Sequence, residues 1–249
     1  MITETHSGRV AVVTGAAGGF GTAIALELAR RGADIIAVDI HSPDATVSAV
    51  RELGRKATGI TADISNADAV AGITPELLDF GGRVDILVNN AGVFPFVDLF
   101  ELNYAEWRRI FAINTDSQFL MATAVMRSMR ESGWGRIVNL ASNSLGLAVS
   151  GMVAYMAAKG AVVGFTRALA TDLAPYGITV NAVCPTASRT SGGEKFIGNE
   201  VLEHVAQMQA IKRVGVASDI VGTVCFLSSD DSAFMTAQTV VCDGGLMRV

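Results

Sequence analysis

"RVAVVTGAAGGFGTAIALELARRGADIIAVDI", residues 9–40, holds an apolar run, a glycine turn, a helical stretch and a second apolar run. "RVAVVTG" (9–15) is rich in β-branched residues and ends at Gly15. "FGTAIALELARRG" (20–32) has helical periodicity and stops at Gly32, a C-cap residue. "DIIAVDI" (34–40) reads as strand again, which makes the whole stretch a βαβ unit. Between strand and helix lies "TGAAGGFG" (14–21). Its glycines let the backbone turn tightly and approach a pyrophosphate seated at a helix N-terminus.

The same alternation runs to the end of the chain. Apolar runs at "KATGITA" (56–62), "VDILVNN" (84–90), "GRIVNLAS" (135–142), "GITVNAVCP" (177–185) and "AQTVVCDGG" (237–245) are separated by helical segments. Seven strands interleaved with helices predict an α/β fold: one doubly wound Rossmann domain over residues 1–249. Its parallel sheet has seven strands, with helices on both faces because right-handed crossovers put them there. No repeat, low-complexity segment or Pro/Ser linker divides the chain.

Asp39 closes the second strand, where an acidic side chain accepts hydrogen bonds from the ribose hydroxyls of a dinucleotide. It also repels a 2′-phosphate, by about 4 kcal/mol at about 4 Å and an effective dielectric near 20. Ala16, Ala17 and Ile40 offer no cation in compensation, although a protonated His41 would soften the preference. NAD is therefore the expected cofactor.

Composition narrows the partners. The chain has 249 residues, half of them hydrophobic, and a net charge of −5, which argues against a nucleic-acid footprint. Basic residues are scattered, no signal-peptide pattern opens the sequence, and Lys159 interrupts the longest apolar candidate for a membrane span. Cys184, Cys225 and Cys242 stand far apart beside apolar neighbours, as free buried thiols do in a reducing compartment. A cytoplasmic protein is expected. His6, His41 and His204 have no metal-ligand spacing, so no metal site is expected.

The spacing Gly15-x-x-x-Gly19-x-Gly21 resembles the T-G-x-x-x-G-x-G loop of the short-chain dehydrogenase/reductase family, and further landmarks follow in family order along nearly the whole chain. The resemblance implies that Gly15, Gly19, Phe20 and Gly21 cradle the cofactor. Asp63 in "TADIS", with Ile64 beside it, resembles the position that meets the adenine. "NNAG" (89–92) resembles the signature that places Asn90 and Gly92 along the dinucleotide. Pro185 and Ser188, after the sixth strand, match the positions beside the nicotinamide, although Thr186 stands where the family usually has glycine.

The most specific match is Ser142, Tyr155 and Lys159, joined by Asn114 in "FAINTDSQF". Residues i and i+4 of a helix share one face, so Tyr155 and Lys159 stand one above the other. Oxidising an alcohol removes a hydroxyl proton while a hydride leaves the same carbon. A free phenol has a pKa of about 10, and an ammonium about 4 Å away lowers it by about three units before desolvation is counted. The resemblance implies that Tyr155 is the general acid/base, that Lys159 tunes it and holds the nicotinamide ribose, that Ser142 binds the reacting oxygen and that Asn114 supports a water relay.

On the substrate side, residues 186–210 are expected to form a lid. Phe94, Phe96, Ser144, Met152 and Met208 are candidate pocket residues, with Arg189 as the one nearby cation. "SGWGRIVNLAS", "CPTASRT" and "DGGLMRV" are similar to NAD-dependent dehydrogenases of aryl-bearing secondary alcohols of the 1-phenylethanol type. "LASNS" and "AYMAAKGAVVGFTRALATDL" are similar to pyridoxal 4-dehydrogenase. Hydroxyacyl or ketoacyl chemistry is a further alternative. The family resemblance also implies a homotetramer, pairing helices around 104–131 and 152–175 and the last strand. A silent NAD-sensing scaffold and an S-adenosylmethionine methyltransferase are the rival classes, and the Tyr155–Lys159 pair argues against both.

Overall fold

In this computed structural model, which describes residues 4–190 and 197–248, each of the seven apolar runs is a strand. The first half places β1 (Val10–Thr14), α1 (Gly19–Arg30), β2 (Asp34–Asp39), α2 (Asp44–Glu52), β3 (Ala57–Thr61), α3 (Ala67–Asp79) and β4 (Ile86–Asn89). Then come α4 (Tyr104–Phe111), α5 (Ser117–Ser132), β5 (Gly135–Leu140), α6 (Val153–Leu173) and β6 (Ile178–Pro185). Two-residue strands β7 (Ser188–Arg189) and β8 (Gly215–Val216) flank α7 (Asn199–Met208), and α8 (Ser218–Leu227) leads to β9 (Thr239–Cys242).

The main sheet has the order β3-β2-β1-β4-β5-β6-β9, every pairing parallel. Alternation along each strand feeds two cores. Ala11, Val13, Ile35 and Ala37 pack on one face with Ile24 and Leu28 of α1 and Val224 of α8. Val10, Val12, Ile36 and Val38 pack on the other with Leu77 of α3, Met121 and Met129 of α5 and Ala170 of α6. Interior strands buried on both faces read as unbroken apolar runs, which is why they stand out in the sequence.

The strand order reverses between β1 and β4. Gly15 and Asn90 follow these two strands, so a crevice opens there at their carboxyl ends, the usual ligand position of an open α/β sheet. The β7–β8 pair is a feature that two-residue strands leave too little pattern to predict. It joins the chain leaving β6 to the chain leaving α7, pairing Ser188 with Gly215 and Arg189 with Val216.

Candidate active site

The glycine loop is built by close approach as much as by conformation. Gly15 and Gly19 take φ of 66° and 55°, in the left-handed region that disfavours side chains. Gly21 has an ordinary φ, but a Cβ there would run into the carbonyl of Gly15. Asn90 braces the turn, its Nδ2 donating to Thr14 O (2.8 Å) and Gly15 O (3.2 Å). Thr14 completes the brace: its Oγ1 accepts from the amides of Asn90 and Ala91, each at 3.0 Å. Thr14 belongs to the loop motif, yet only its contacts reveal that it clamps β1 to the chain leaving β4.

A cleft of about 550 Å³ opens over this loop, lined by Gly15, Gly19, Phe20, Asp39, Asn90, Gly92, Asn114, Tyr155, Lys159 and Pro185 among others. Asp39 accepts from the amides of Ala17 and His41, each at 2.9 Å, so its carboxylate sits at the rim of the loop. These residues fit a dinucleotide: a glycine-rich cradle for phosphates lies at the N-terminus of α1, with an acid at the end of β2. Gly21 lies beneath the loop and Ser188 lines the neighbouring cavity. Asp63 and Ile64 are not among the lining residues. The Asp63 carboxylate accepts from the Ser65 amide (3.0 Å) and hydroxyl (2.6 Å) in a turn before α3, and Ile64 is packed into the core.

Asn114 stands in a π-helical turn (Ala112–Asp116) between α4 and α5, a widening frequent at functional sites. Its fully buried carboxamide donates to Val93 O (2.9 Å) and Ile110 O (3.0 Å) and accepts from the Val93 amide (3.2 Å). Gly92 makes room for this group, since a Cβ there would lie 2.7 Å from Asn114 Oδ1 and 3.5 Å from Lys159 Nζ. Asn114 and Lys159 are thus brought to the same glycine.

Tyr155 and Lys159 project from α6, and both are buried. Lys159 Nζ donates to Leu140 O at 2.7 Å, the last carbonyl of β5, and lies 5.9 Å from the Tyr155 ring centroid. Burial sets the direction of both groups' shifts. Burial pushes Tyr155 up to about 12, against an opposing hydrogen bond with the Ser142 side chain. Burial likewise brings Lys159 down to about 8. Desolvation disfavours both charged forms, and Cys184 nearby offsets part of it at the lysine.

Ser142 follows β5 and caps a 3₁₀ turn (Asn143–Gly146), its Oγ accepting from the Ser144 amide at 3.2 Å. It lines a second cavity of about 260 Å³ together with Phe94, Phe96, Ser144, Leu147, Val149, Met152, Val201 and Leu246. Phe20, Phe94, Tyr155, Pro185 and Thr190 line both cavities, so Tyr155 stands at their junction.

Two candidates fall outside this cavity. Met208, at the end of α7, is half exposed and absent from the lining. Arg189 turns outward toward Asn199 (3.5 Å) and Glu203 (3.8 Å). Of the expected lid, residues 191–196 lie outside the described residues, while α7 contributes Val201 and Val205 to the cavity wall. Thr186, in the usual glycine position, does not take a positive φ; its Oγ1 donates to Gln209 Oε1 at 3.3 Å. The loop accommodates the threonine and uses its hydroxyl. Among the described residues, no three His, Cys, Asp or Glu side chains converge to hold a metal ion, and no helix is long and apolar enough to cross a membrane.

Comparison with known proteins agrees with this geometry. The family model described as "Enoyl-(Acyl carrier protein) reductase" matches residues 15–247. The short-chain reductase protein NovJ of Streptomyces niveus is 37% identical over 247 residues, covering 95% of this chain and 93% of that protein. The (2S)-[(R)-hydroxy(phenyl)methyl]succinyl-CoA dehydrogenase subunit BbsD of Thauera aromatica is 39% identical over 239 residues, 95% and 96% of the two chains. The crystal structure of levodione reductase superposes with a TM-score of 0.90 at 33% identity, over 96% of this chain and 97% of that one. The glycine cradle, the Ser142–Tyr155–Lys159 cluster, the parallel sheet and these similarities over nearly the full length lead to one assignment: the chain belongs to the short-chain dehydrogenase/reductase family.

Proposed function

We propose that this oxidoreductase transfers a hydride between NAD(H) and a small aryl-bearing or otherwise apolar secondary alcohol or its ketone. The observation that carries the reading is the position of Tyr155, whose side chain lines both the glycine-loop cleft and the apolar cavity. A phenol there is within reach of an alcohol oxygen on one side and of a nicotinamide on the other. Asp39 at the cleft rim favours NAD over NADP by repelling a 2′-phosphate.

In this reading Phe94, Phe96 and Met152 surround the substrate's apolar substituent, while Ser142 hydrogen-bonds its oxygen. Tyr155 gives that oxygen a proton in reduction and takes it in oxidation. Lys159 contributes positive charge beside the phenol and a donor for the nicotinamide ribose. Asn114, anchored to Val93, holds the wall opposite Lys159 and supports a solvent relay. The dinucleotide supplies the hydride chemistry when bound. BbsD, by its name, acts on a carbinol carbon that bears a phenyl ring, which supports an aryl substrate here. Pyridoxal and hydroxyacyl esters are the alternatives.

We place the protein in the cytoplasm, as one domain in which residues 186–190 and 197–210 belong to a substrate lid. We read it as a homotetramer because Tyr104, Phe119 and Val153 leave apolar surface exposed along the segments expected to pair. NADH formation from a panel of aryl carbinols, pyridoxal and hydroxyacyl esters tests the activity, with light scattering for the assembly. Turnover of aryl carbinols with NAD is the expected result. Binding of NAD without turnover of any member would favour the sensing scaffold instead.

A further inference from the structure

The chain beyond β9 returns to the catalytic serine. Asp243, only 3% exposed, accepts hydrogen bonds from the amides of Gly245 (3.0 Å), Leu246 (3.1 Å) and Met247 (2.8 Å). Its fourth donor is Asn143 Nδ2 at 3.2 Å, 100 positions earlier in the sequence and next to Ser142. Three bonds close the C-terminal turn on itself. The fourth fastens it to the 3₁₀ turn that Ser142 caps.

Close packing reinforces the link. Gly146, at the end of the serine turn, has no Cβ where the Met247 side chain lies, and any added carbon would collide with its sulfur. On the other side, the Ile211 amide donates to Gly244 O at 2.9 Å, and a Cβ on Gly245 would come within 2.9 Å of the Ala210 Cβ. The C-terminal turn is therefore wedged between the serine turn and the end of α7. Leu246, between two tethered residues, lines the apolar cavity with Ser142 and Met152.

We propose that the turn Asp243–Met247 is a clasp that holds the Ser142 turn in place and presents Leu246 as a specificity-determining wall of the substrate cavity. Asn143 and Asp243 are positioning residues in this arrangement. The inference rests on the proposed function only in taking this cavity as the alcohol's.

Two variants separate the clasp from the wall. Asn143→Ala removes the cross-link but leaves Asp243 its three backbone donors, so the C-terminal turn keeps its shape. Amide hydrogen exchange at Ser144 and Leu147 should then quicken by about tenfold, the cost of one hydrogen bond to a charged group. Unchanged exchange there overturns the clasp whatever the substrate. In turnover, kcat should fall with the KM for NAD unchanged.

Leu246→Trp tests the wall on secondary alcohols graded from 2-butanol to 1-(2-naphthyl)ethanol. The kcat/KM for the larger members should drop relative to the smaller by at least about tenfold, and Leu246→Ala should shift the preference the other way. A size ranking unchanged in both variants overturns the wall. A wild type that prefers aliphatic alcohols counts against the aryl part of the proposed function alone, because the shift in ranking still reports on Leu246.

Discussion

Replacing Asp39 by serine tests the charge argument for NAD most directly. The carboxylate holds the amides of Ala17 and His41, each at 2.9 Å, and lines the cleft beside the glycine loop. A 2′-phosphate entering there meets a like charge. The repulsion is about 4 kcal/mol at about 4 Å and an effective dielectric of 20, reduced to about 1–3 kcal/mol at a part-exposed rim in physiological salt. Serine removes that charge and releases two backbone donors toward the space a phosphate would fill. It also removes the charged acceptor for the ribose hydroxyls of NAD, a loss of about 1.5–3 kcal/mol. The two effects push the cofactor ratio in one direction, so the NAD/NADP ratio of kcat/KM should fall by at least about 100-fold.

The assay is steady-state kinetics with each cofactor at low and high ionic strength. Screening weakens the repulsion, so discrimination against NADP should narrow with salt in the wild type and barely move in Asp39→Ser. A ratio that changes less than about threefold, or a wild-type preference indifferent to salt, would refute the electrostatic account. In that case Asp39 would serve to shape the loop through the Ala17 and His41 amides.

Other expectations concern the proton carrier, the backbone and acid stability. Tyr155→Phe keeps the buried ring and removes its oxygen; turnover should drop by about 10²–10⁴-fold with thermal stability and NADH binding retained, and a loss smaller than tenfold would remove Tyr155 from the role. Ala237 is the one non-glycine among the described residues with a positive φ, 61°. Ala237→Gly should raise stability by about 0.5–1 kcal/mol, read as a higher Tm, and a lower Tm would show that the methyl group packs usefully. His6, buried against Ser228 at 3.0 Å, is held down to about 4 by burial, with Arg31 adding to the shift. The unfolded chain binds this proton below about pH 6.5 and the folded chain only near pH 4, so about 3 kcal/mol of stability should disappear between those values. Urea unfolding of His6→Gln should show a flatter acid limb, and an unchanged limb would place the acid sensitivity elsewhere.

What the sequence reveals here divides along physical lines. Strands such as Val10–Thr14 and Ile35–Val38 announce themselves because both faces are buried, and Gly15 and Gly19 because their positions demand unusual backbone or empty space. Features that depend on contacts far apart in the chain leave no local trace. The Asn143–Asp243 link, the β7–β8 pairing and the outward turn of Arg189 are of this kind. Asp63 shows a subtler gap, since its motif gives its place between β3 and α3 but not its engagement with Ser65.

The Tyr155–Lys159 pair marks the limit of spacing as an argument. Position i+4 places the two side chains on one face, but the sign of the phenol's shift depends on how much water the fold removes and how far apart the groups come to rest. Here the ammonium spends a hydrogen bond on Leu140 O, and burial wins, leaving the phenol at about 12. Burial favours the protonated phenol and opposes the charge on the ammonium. A phenol that burial holds protonated suits giving a proton, so the kcat of oxidation should rise with pH more steeply than that of reduction; parallel pH profiles in the two directions would count against Tyr155 as the shared proton carrier.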